Sequence, residues 1–188
     1  NRISLEMLKL VIGNKNYSSW SMRPWLALRA NDIPFEEVFI TLYTDDKADK
    51  DRILSVSRSG KVPALIDGDV TVWDSLAIAE YLAERHAGVW PANAHARAWA
   101  RSAAAEMHSG FGALRQRASM SCGQRVQLKE CPADLRADLA RLEALWSEGL
   151  SRFGGPFLAG SAFGAVDAFY APVAFRVQTY GLPLAEPA

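Results

Sequence analysis

The sequence lacks an excess of charge of either sign. Its 188 residues include 21 lysines and arginines and 21 aspartates and glutamates, and the pI is about 7.0. Proteins that bind nucleic acid usually carry a basic surplus. The balance therefore predicts that this chain does not bind nucleic acid and that its partner is a small molecule.

Long apolar runs are also absent. No stretch approaches the roughly 18 consecutive apolar residues that a membrane span needs. The N-terminus does not have the basic, apolar and small-residue order of a signal peptide. We therefore expect a cytoplasmic protein with no membrane partner, and we expect residues 1–6 to be a cloning remnant ahead of Met7.

Cysteine and the familiar catalytic motifs are scarce. The two cysteines, Cys122 and Cys131, fit neither a CxxC nor a zinc pattern, and two are too few for a disulfide framework. The sequence contains no GxGxxG, P-loop, HExxH or GxSxG motif, and its three histidines are scattered. We expect no metal site.

The composition itself, 49% hydrophobic and 22% charged, is enough to fill a core. The first half alternates short apolar runs with a helical pattern, and a DGD turn marks a hairpin. We predict strands at 7–12, 35–41, 62–66 and 70–73, a helix at 22–30 capped by Ser21, one helical turn near 52–56, and a helix that Asp74 or Ser75 caps.

The second half contains no convincing strand. An alanine-rich segment with a helical period covers 94–117, leucines spaced by three or four cover 132–152, and a last helix begins near Ala165. The pattern predicts a small mixed sheet with helices, followed by an all-helical unit.

Three clusters in the first half can carry chemistry, and each also has a structural explanation. Residues 16–23 (NYSSWSMR) lie between a strand and a helix start, where serines are often only caps. Residues 59–65 (SGKVPAL) place a proline at a strand start, as an edge residue or after a cis bond. Residues 73–76 (WDSL) lead into a helix N-terminus, which attracts carboxylates.

Together, in this order and ahead of a helical second half, the clusters resemble the cytosolic glutathione S-transferase family. The segment 18–23 is similar to the SSxSxxR segment of the serine-type zeta classes, and its spacing also suits tau classes. The resemblance implies a thioredoxin-like α/β domain at 7–86, a linker at 87–93 and an all-α domain at 94–188.

The resemblance also implies a glutathione site. The Val62 backbone, before a cis Pro63, would pair with the cysteinyl unit of glutathione. Ser75 would hold the γ-glutamyl carboxylate and Asp74 the ammonium. For the glycyl carboxylate, Lys50 is a candidate, and Lys47 or Lys61 could serve instead.

Ser18 is the catalytic residue that the resemblance implies. A serine hydroxyl is too weak a base to deprotonate a thiol, so its role would be to donate a hydrogen bond to the thiolate. Tyr17 stays an alternative because related classes use a tyrosine hydroxyl. Arg23, five positions after Ser18, is expected to tie down the loop.

The resemblance further implies a pocket for a hydrophobic electrophile bordered by Trp20, His108, Phe111 and Arg115. Aromatic residues at helical spacing are more often core, and that alternative stands for His108 and Phe111. Because the chain ends at Ala188, before helices that the family normally adds, we expect part of this pocket to be missing.

The function that the resemblance implies is a homodimeric glutathione S-transferase in detoxification, with glutathione as co-substrate. A zeta-like isomerase of the maleylacetoacetate type is the enzymatic alternative. A non-catalytic module that binds ligands or partner proteins is the third possibility.

Overall fold

A computed structural model describes residues 6–41 and 45–184. The elements follow in the order β1 (Leu8–Ile12), α1 (Ser19–Ala30), β2 (Phe35–Phe39), α2 (Lys47–Val56), β3 (Ala64–Asp67), β4 (Val70–Trp73), α3 (Ser75–Ala83), α4 (Ala94–Ser109), α5 (Gly112–Arg117), α6 (Ala133–Phe153) and α7 (Ala165–Tyr180).

The four strands form one mixed sheet in the order β2-β1-β3-β4. β1 runs parallel to β2 and antiparallel to β3, and β3 and β4 form the hairpin. β1 lies between two neighbours, and Leu10, Val11 and Ile12 are almost fully buried. This explains its nearly continuous apolar run. The predicted mixed sheet and helical second half are confirmed.

Helix α1 begins earlier than predicted. It starts at Ser19, and the cap is Ser18, whose hydroxyl accepts a hydrogen bond from the Ser21 amide at 3.3 Å. The prediction that Ser21 caps the helix is therefore wrong. Pro24 consequently lies in the second turn, where it has no N–H to donate to the carbonyl of Trp20.

Helix α2 is longer than the single turn predicted near 52–56. Asp46 caps it by accepting from the Ala48 amide at 2.8 Å, and none of its residues is buried. Its few apolar contacts, made by Ile53 and Val56 against the core beside β1, give too short a period to detect, which is why the sequence pattern missed most of the helix. The strand predicted to reach Thr41 ends at Phe39, and part of the predicted polar stretch, residues 42–44, lies outside the described residues.

The helix predicted over 94–117 is two helices. It breaks at Gly110, where a Cβ would lie 2.8 Å from the Glu106 carbonyl, and the next residue, Phe111, has a positive φ of 55°. α5 then begins at Gly112. The high alanine content predicted one continuous helix. One glycine and one residue with a strained backbone break it in two.

The last two helices agree with the prediction, and α6 buries the predicted leucines. α7 packs along α1, and α4 contacts α3, so the helical half covers the helices of the sheet half. One apolar core spans both halves, from Leu10 in β1 to Val173 in α7. Within the described residues, no helix is long and apolar enough to cross a membrane.

Candidate functional site

The start of α3 presents a carboxylate and a buried hydroxyl side by side. Asp74 caps the helix from a positive φ of 43°, and its Oδ1 accepts from the amides of Leu76 at 2.9 Å and Ala77 at 3.4 Å. Its side chain is 52% exposed. Ser75, the first helical residue, is buried, and its hydroxyl has no partner among the described residues.

The Val62-Pro63 peptide lies beside this helix start. The bond is cis, as predicted, and Pro63 leads directly into β3. Ala64 in β3 pairs with Trp73 in β4, so the hairpin brings the peptide next to Asp74. Two clusters that are separated in sequence therefore meet at one end of the sheet.

A cavity of about 450 Å³ opens between these groups. Its lining brings together six of the residues singled out from the sequence, namely Trp20, Lys61, Val62, Asp74, Ser75 and His108. Of the three candidate lysines, only Lys61 is in this lining, considering the part of the chain that the structure describes.

His108 reaches this cavity from the helical half. Its Nε2 lies 2.9 Å from Asp74 Oδ2, and its ring meets the Trp20 ring edge-on at 5.2 Å between centroids. The same imidazole lies 6.4 Å from the Phe169 ring. His108 therefore joins the two halves of the molecule at the carboxylate of Asp74.

Ser18 lies in a hydroxyl pair. Its Oγ donates to Ser21 Oγ at 2.8 Å, and Ser21 Oγ also accepts from the Gly13 amide at 3.1 Å. Both serines are buried. Ser18 lines a second cavity, of about 480 Å³, together with Tyr17, Ser121 and Tyr180.

Phe111 and Arg115, two of the residues expected at the electrophile pocket, lie in different surroundings. Phe111 is buried, and its ring packs edge-on against Tyr170 at 6.2 Å, so it belongs to the core. Arg115 is half-buried, with its guanidinium carbon 5.6 Å from the centre of the Trp20 ring. Trp20 and His108 line the cavity of Asp74 rather than that of Ser18.

Sequence reasoning missed the segment after α5. Ser119, Met120, Ser121 and Gln124 line the cavity that contains Ser18. The Tyr180 hydroxyl donates to the Ser119 carbonyl at 3.0 Å and holds this segment against α7. The segment has neither a periodic pattern nor a motif, so no signal in the sequence could have found it.

Arg23 is fully buried beneath the first cavity. Its guanidinium carbon lies 4.1 Å from the centre of the Trp20 ring and 5.0 Å from that of Phe169. Burial, followed by the charges of Arg115 and Arg176, lowers the pKa of Arg23 to about 9. That Arg23 ties down the loop stays a prediction, because its guanidinium contacts the Trp20 ring but none of its nitrogens has a hydrogen-bond partner among the described residues.

The described ranges 6–41 and 45–184 contain no candidate metal site. No three His, Cys, Asp or Glu side chains gather there in a way that could hold an ion.

Two family descriptions match the chain. "Glutathione S-transferase, N-terminal domain" matches residues 17–85, and "Glutathione S-transferase, C-terminal domain" matches residues 92–187.

Among curated proteins, the chain is 41% identical over 61 residues to a dichloromethane dehalogenase from Methylorubrum extorquens. That match covers 31% of this chain and 21% of the dehalogenase. It is 26% identical over 191 residues to glutathione S-transferase 1 from Dianthus caryophyllus, which covers 97% of this chain and 84% of the relative. The chain thus aligns with only about a fifth of the dehalogenase.

Solved structures share the fold. A Burkholderia glutathione transferase homolog with bound glutathione superposes with a TM-score of 0.67 at 23% identity, covering 96% of this chain and 85% of the other. A tau-class enzyme from mango gives a TM-score of 0.69 at 20% identity, covering 97% and 83%.

Proposed function

Because the chain belongs to the glutathione S-transferase family, we propose that it binds glutathione and activates its thiol for attack on an electrophilic small molecule. The observation that carries this proposal is the 450 Å³ cavity, where the Val62 backbone, the Asp74 carboxylate and the Ser75 hydroxyl converge. Each has the chemistry that one part of the tripeptide requires.

The γ-glutamyl end of glutathione carries an ammonium and a carboxylate. Oδ1 of Asp74 accepts from two helix amides, whereas Oδ2 faces only His108 Nε2, at 2.9 Å, and keeps a second lone pair for another donor. We assign Oδ2 to the ammonium. Ser75 supplies a hydroxyl without a partner at the positive end of α3, where a carboxylate is stabilised.

The cysteinyl unit would extend along Val62. Its backbone precedes the cis peptide bond and is half-buried in the cavity wall. A peptide that lies extended beside an accessible backbone segment can form main-chain hydrogen bonds with it, whatever side chains the peptide carries. Lys61, in the same lining, is our candidate for the glycyl carboxylate.

Ser18 would stabilise the thiolate. A cysteine thiol has a pKa near 8.5, and ionising half of it near neutrality requires a shift of roughly 1.5 to 2 units, or about 2 to 3 kcal/mol. A charge-assisted hydrogen bond and the N-terminus of α1 together supply energies of this size. For this the Ser18 hydroxyl turns from Ser21 Oγ to the sulfur, while the Ser21 amide still donates to Ser18 Oγ.

The electrophile would occupy the second cavity, since Ser18 lines it and would place the thiolate at its wall. Its lining mixes the aromatic faces of Tyr17, Phe39 and Tyr180 with serine hydroxyls. Such a surface suits a partly hydrophobic electrophile. A homodimer, a cytoplasmic location and a role in detoxification are parts of the same proposal.

The experiment is retention on immobilised glutathione, followed by turnover assays with haloalkanes, aryl halides, organic peroxides and maleyl compounds. Haloalkanes are included because one relative is named for dichloromethane. We expect retention, elution by free glutathione, and conjugation of at least one class. Isomerisation of maleyl compounds alone would identify an isomerase. Retention without any turnover would identify a binding module, and loss of retention would overturn the proposal.

A further inference from the structure

Three arginines from three helices lie near enough for their charges to affect one another where the two halves of the chain pack together. Arg23 lies on α1, Arg115 on α5 and Arg176 on α7. Arg23 and Arg115 both lie against the Trp20 ring, at 4.1 and 5.6 Å from its centre. Arg176 Nη1 donates at 2.6 Å to the carbonyl of Ala118, the residue that ends α5. We call these three residues the arginine cluster.

The arginine cluster has buried donors without acceptors. Arg23 is 0% exposed, and its Nε, Nη1 and Nη2 all lack hydrogen-bond partners within the described residues. The Nε atoms of Arg115 and Arg176 are also buried and unpartnered there. More than nine-tenths of buried polar groups in proteins find a partner, and a lone buried charge costs several kcal/mol. A fully buried guanidinium with no partner therefore indicates a ligand.

The missing partner must carry negative charge. Burial and the neighbouring arginines lower the pKa of Arg23 to about 9 and that of Arg176 to about 10, so both remain charged at neutral pH. Asp74 opposes the shift of Arg23 but is the smallest of the effects on it. Water molecules would satisfy N–H donors but would leave three like charges uncompensated in a poorly polarisable interior.

We propose that the arginine cluster binds one small oxyanion, a carboxylate or an inorganic phosphate, between α1 and the helical half. Guanidinium groups present fixed pairs of N–H donors that match the two oxygens of such an anion. Arg115 is only half-buried, so the anion can reach the cluster from its side.

The anion would also connect the two halves. The helices that contribute arginines belong to both halves, which two ion pairs also join, His108 with Asp74 and Arg101 with Glu80. This proposal goes beyond glutathione binding, and it holds whether or not the chain conjugates an electrophile.

The test measures thermal unfolding of the full chain at pH 7 and constant ionic strength, with added inorganic phosphate in one series and acetate in another. We expect a melting temperature that starts to rise near Kd and then increases with the logarithm of the anion concentration, because a ligand of the folded state stabilises it by RT ln(1 + [L]/Kd). Isothermal titration with the same probe gives a saturable binding curve and Kd directly. Saturable binding of phosphate alone indicates an inorganic ion, and saturable binding of acetate indicates a carboxylate.

Arg115→Gln is the variant, and Arg117→Gln is its matched control. Arg117 lies on the same helix, is exposed, and pairs with Asp134 at 2.8 Å. Losing one charge-assisted contact raises Kd by about 10- to 100-fold. We expect that rise in Arg115→Gln and an unchanged Kd in Arg117→Gln.

Two results would overturn the proposal. The first is the absence of saturable binding of either probe to the parent protein, which would mean that water alone solvates the cluster or that any anion is adventitious. The second is an equal loss of affinity in Arg115→Gln and Arg117→Gln. If Arg115→Gln fails to fold, Arg115→Lys replaces it, since lysine keeps the charge but not the paired donors.

Discussion

Two helix starts face the candidate site, and their caps differ in charge and exposure. α1 is capped by a neutral serine, Ser18, that is 6% exposed and bonded to another hydroxyl. α3 is capped by an acidic residue, Asp74, whose side chain is 52% exposed. Ser18 accepts from one helix amide and Asp74 from two, but serine and aspartate are similarly good caps, so helix stability alone does not require the difference in charge.

The difference fits two ligand groups of opposite charge. A neutral cap leaves the positive end of α1 uncompensated and available to a thiolate. An acidic cap adds a negative charge beside the amides of its helix and keeps a lone pair of Oδ2 for an ammonium. The start of α1 therefore suits an anion alone, whereas the start of α3 suits an ammonium at Asp74 next to a carboxylate at Ser75.

Removing the neutral cap's hydroxyl is the change with the largest expected effect. In Ser18→Ala we expect turnover to fall by roughly 10- to 1,000-fold and the pKa of bound glutathione to rise by a unit or more, because a preorganised donor is lost. Ultraviolet titration of the thiolate in the binary complex measures the pKa. Glutathione affinity is expected to change little.

Ser18→Gly separates capping from catalysis. Glycine caps within a few tenths of a kcal/mol of serine, whereas alanine costs about 1 kcal/mol, so both variants should lose turnover but only Ser18→Ala should lose stability. Tyr17→Phe is the control for the neighbouring hydroxyl. A parent-like thiol pKa in Ser18→Gly together with a raised one in Tyr17→Phe would transfer the catalytic role to Tyr17.

Neutralising the acidic cap is expected to have the next largest effect. Asp74→Asn keeps the capping oxygen and removes the charge, so the helix should remain intact while KM for glutathione rises by about 10- to 50-fold, as expected for losing a charge-assisted bond. Steady-state kinetics with glutathione as the varied substrate measure this. An unchanged KM would show that Asp74 does not bind the ammonium of glutathione. The difference in charge between the two caps would then have no explanation in ligand binding.

Ser75→Ala tests the group beside the acidic cap. We expect KM for glutathione to rise by about 5- to 10-fold with little change in kcat, because the contact is the same in the ground and transition states. Thermal stability should not fall, because the hydroxyl has no partner among the described residues. A fall in kcat with KM unchanged would contradict the assignment of Ser75 to the γ-glutamyl carboxylate.

His108→Gln is expected to have the smallest effect. The imidazole orients Asp74 from 2.9 Å, so its loss should raise KM for glutathione by about 2- to 5-fold. His95→Gln, an exposed position on the same helix, is the matched control. If the effect of His108→Gln is unchanged in an Asp74→Asn background, the histidine acts independently of Asp74.

Each element that the sequence patterns predicted well has either a regular apolar period or a strong turn signal. The hairpin with its DGD turn and the leucine-rich helix α6 were both found. The polar helix α2 was largely missed because it buries no residue. The break between α4 and α5 was missed because a single glycine ends an otherwise favourable helix.

The sequence by itself determined most strands and helices and the three clusters, because each depends on residues that are close along the chain. The cis peptide bond was implied by the family resemblance, and the structure confirms it. Only the tertiary structure decided that His108 reaches Asp74. It also decided that Phe111 lies in the core and that Arg23 lies near Arg115 and Arg176. These facts depend on how α1, α5 and α7 pack, and the spacing of residues within one helix carries no information about its distance from another.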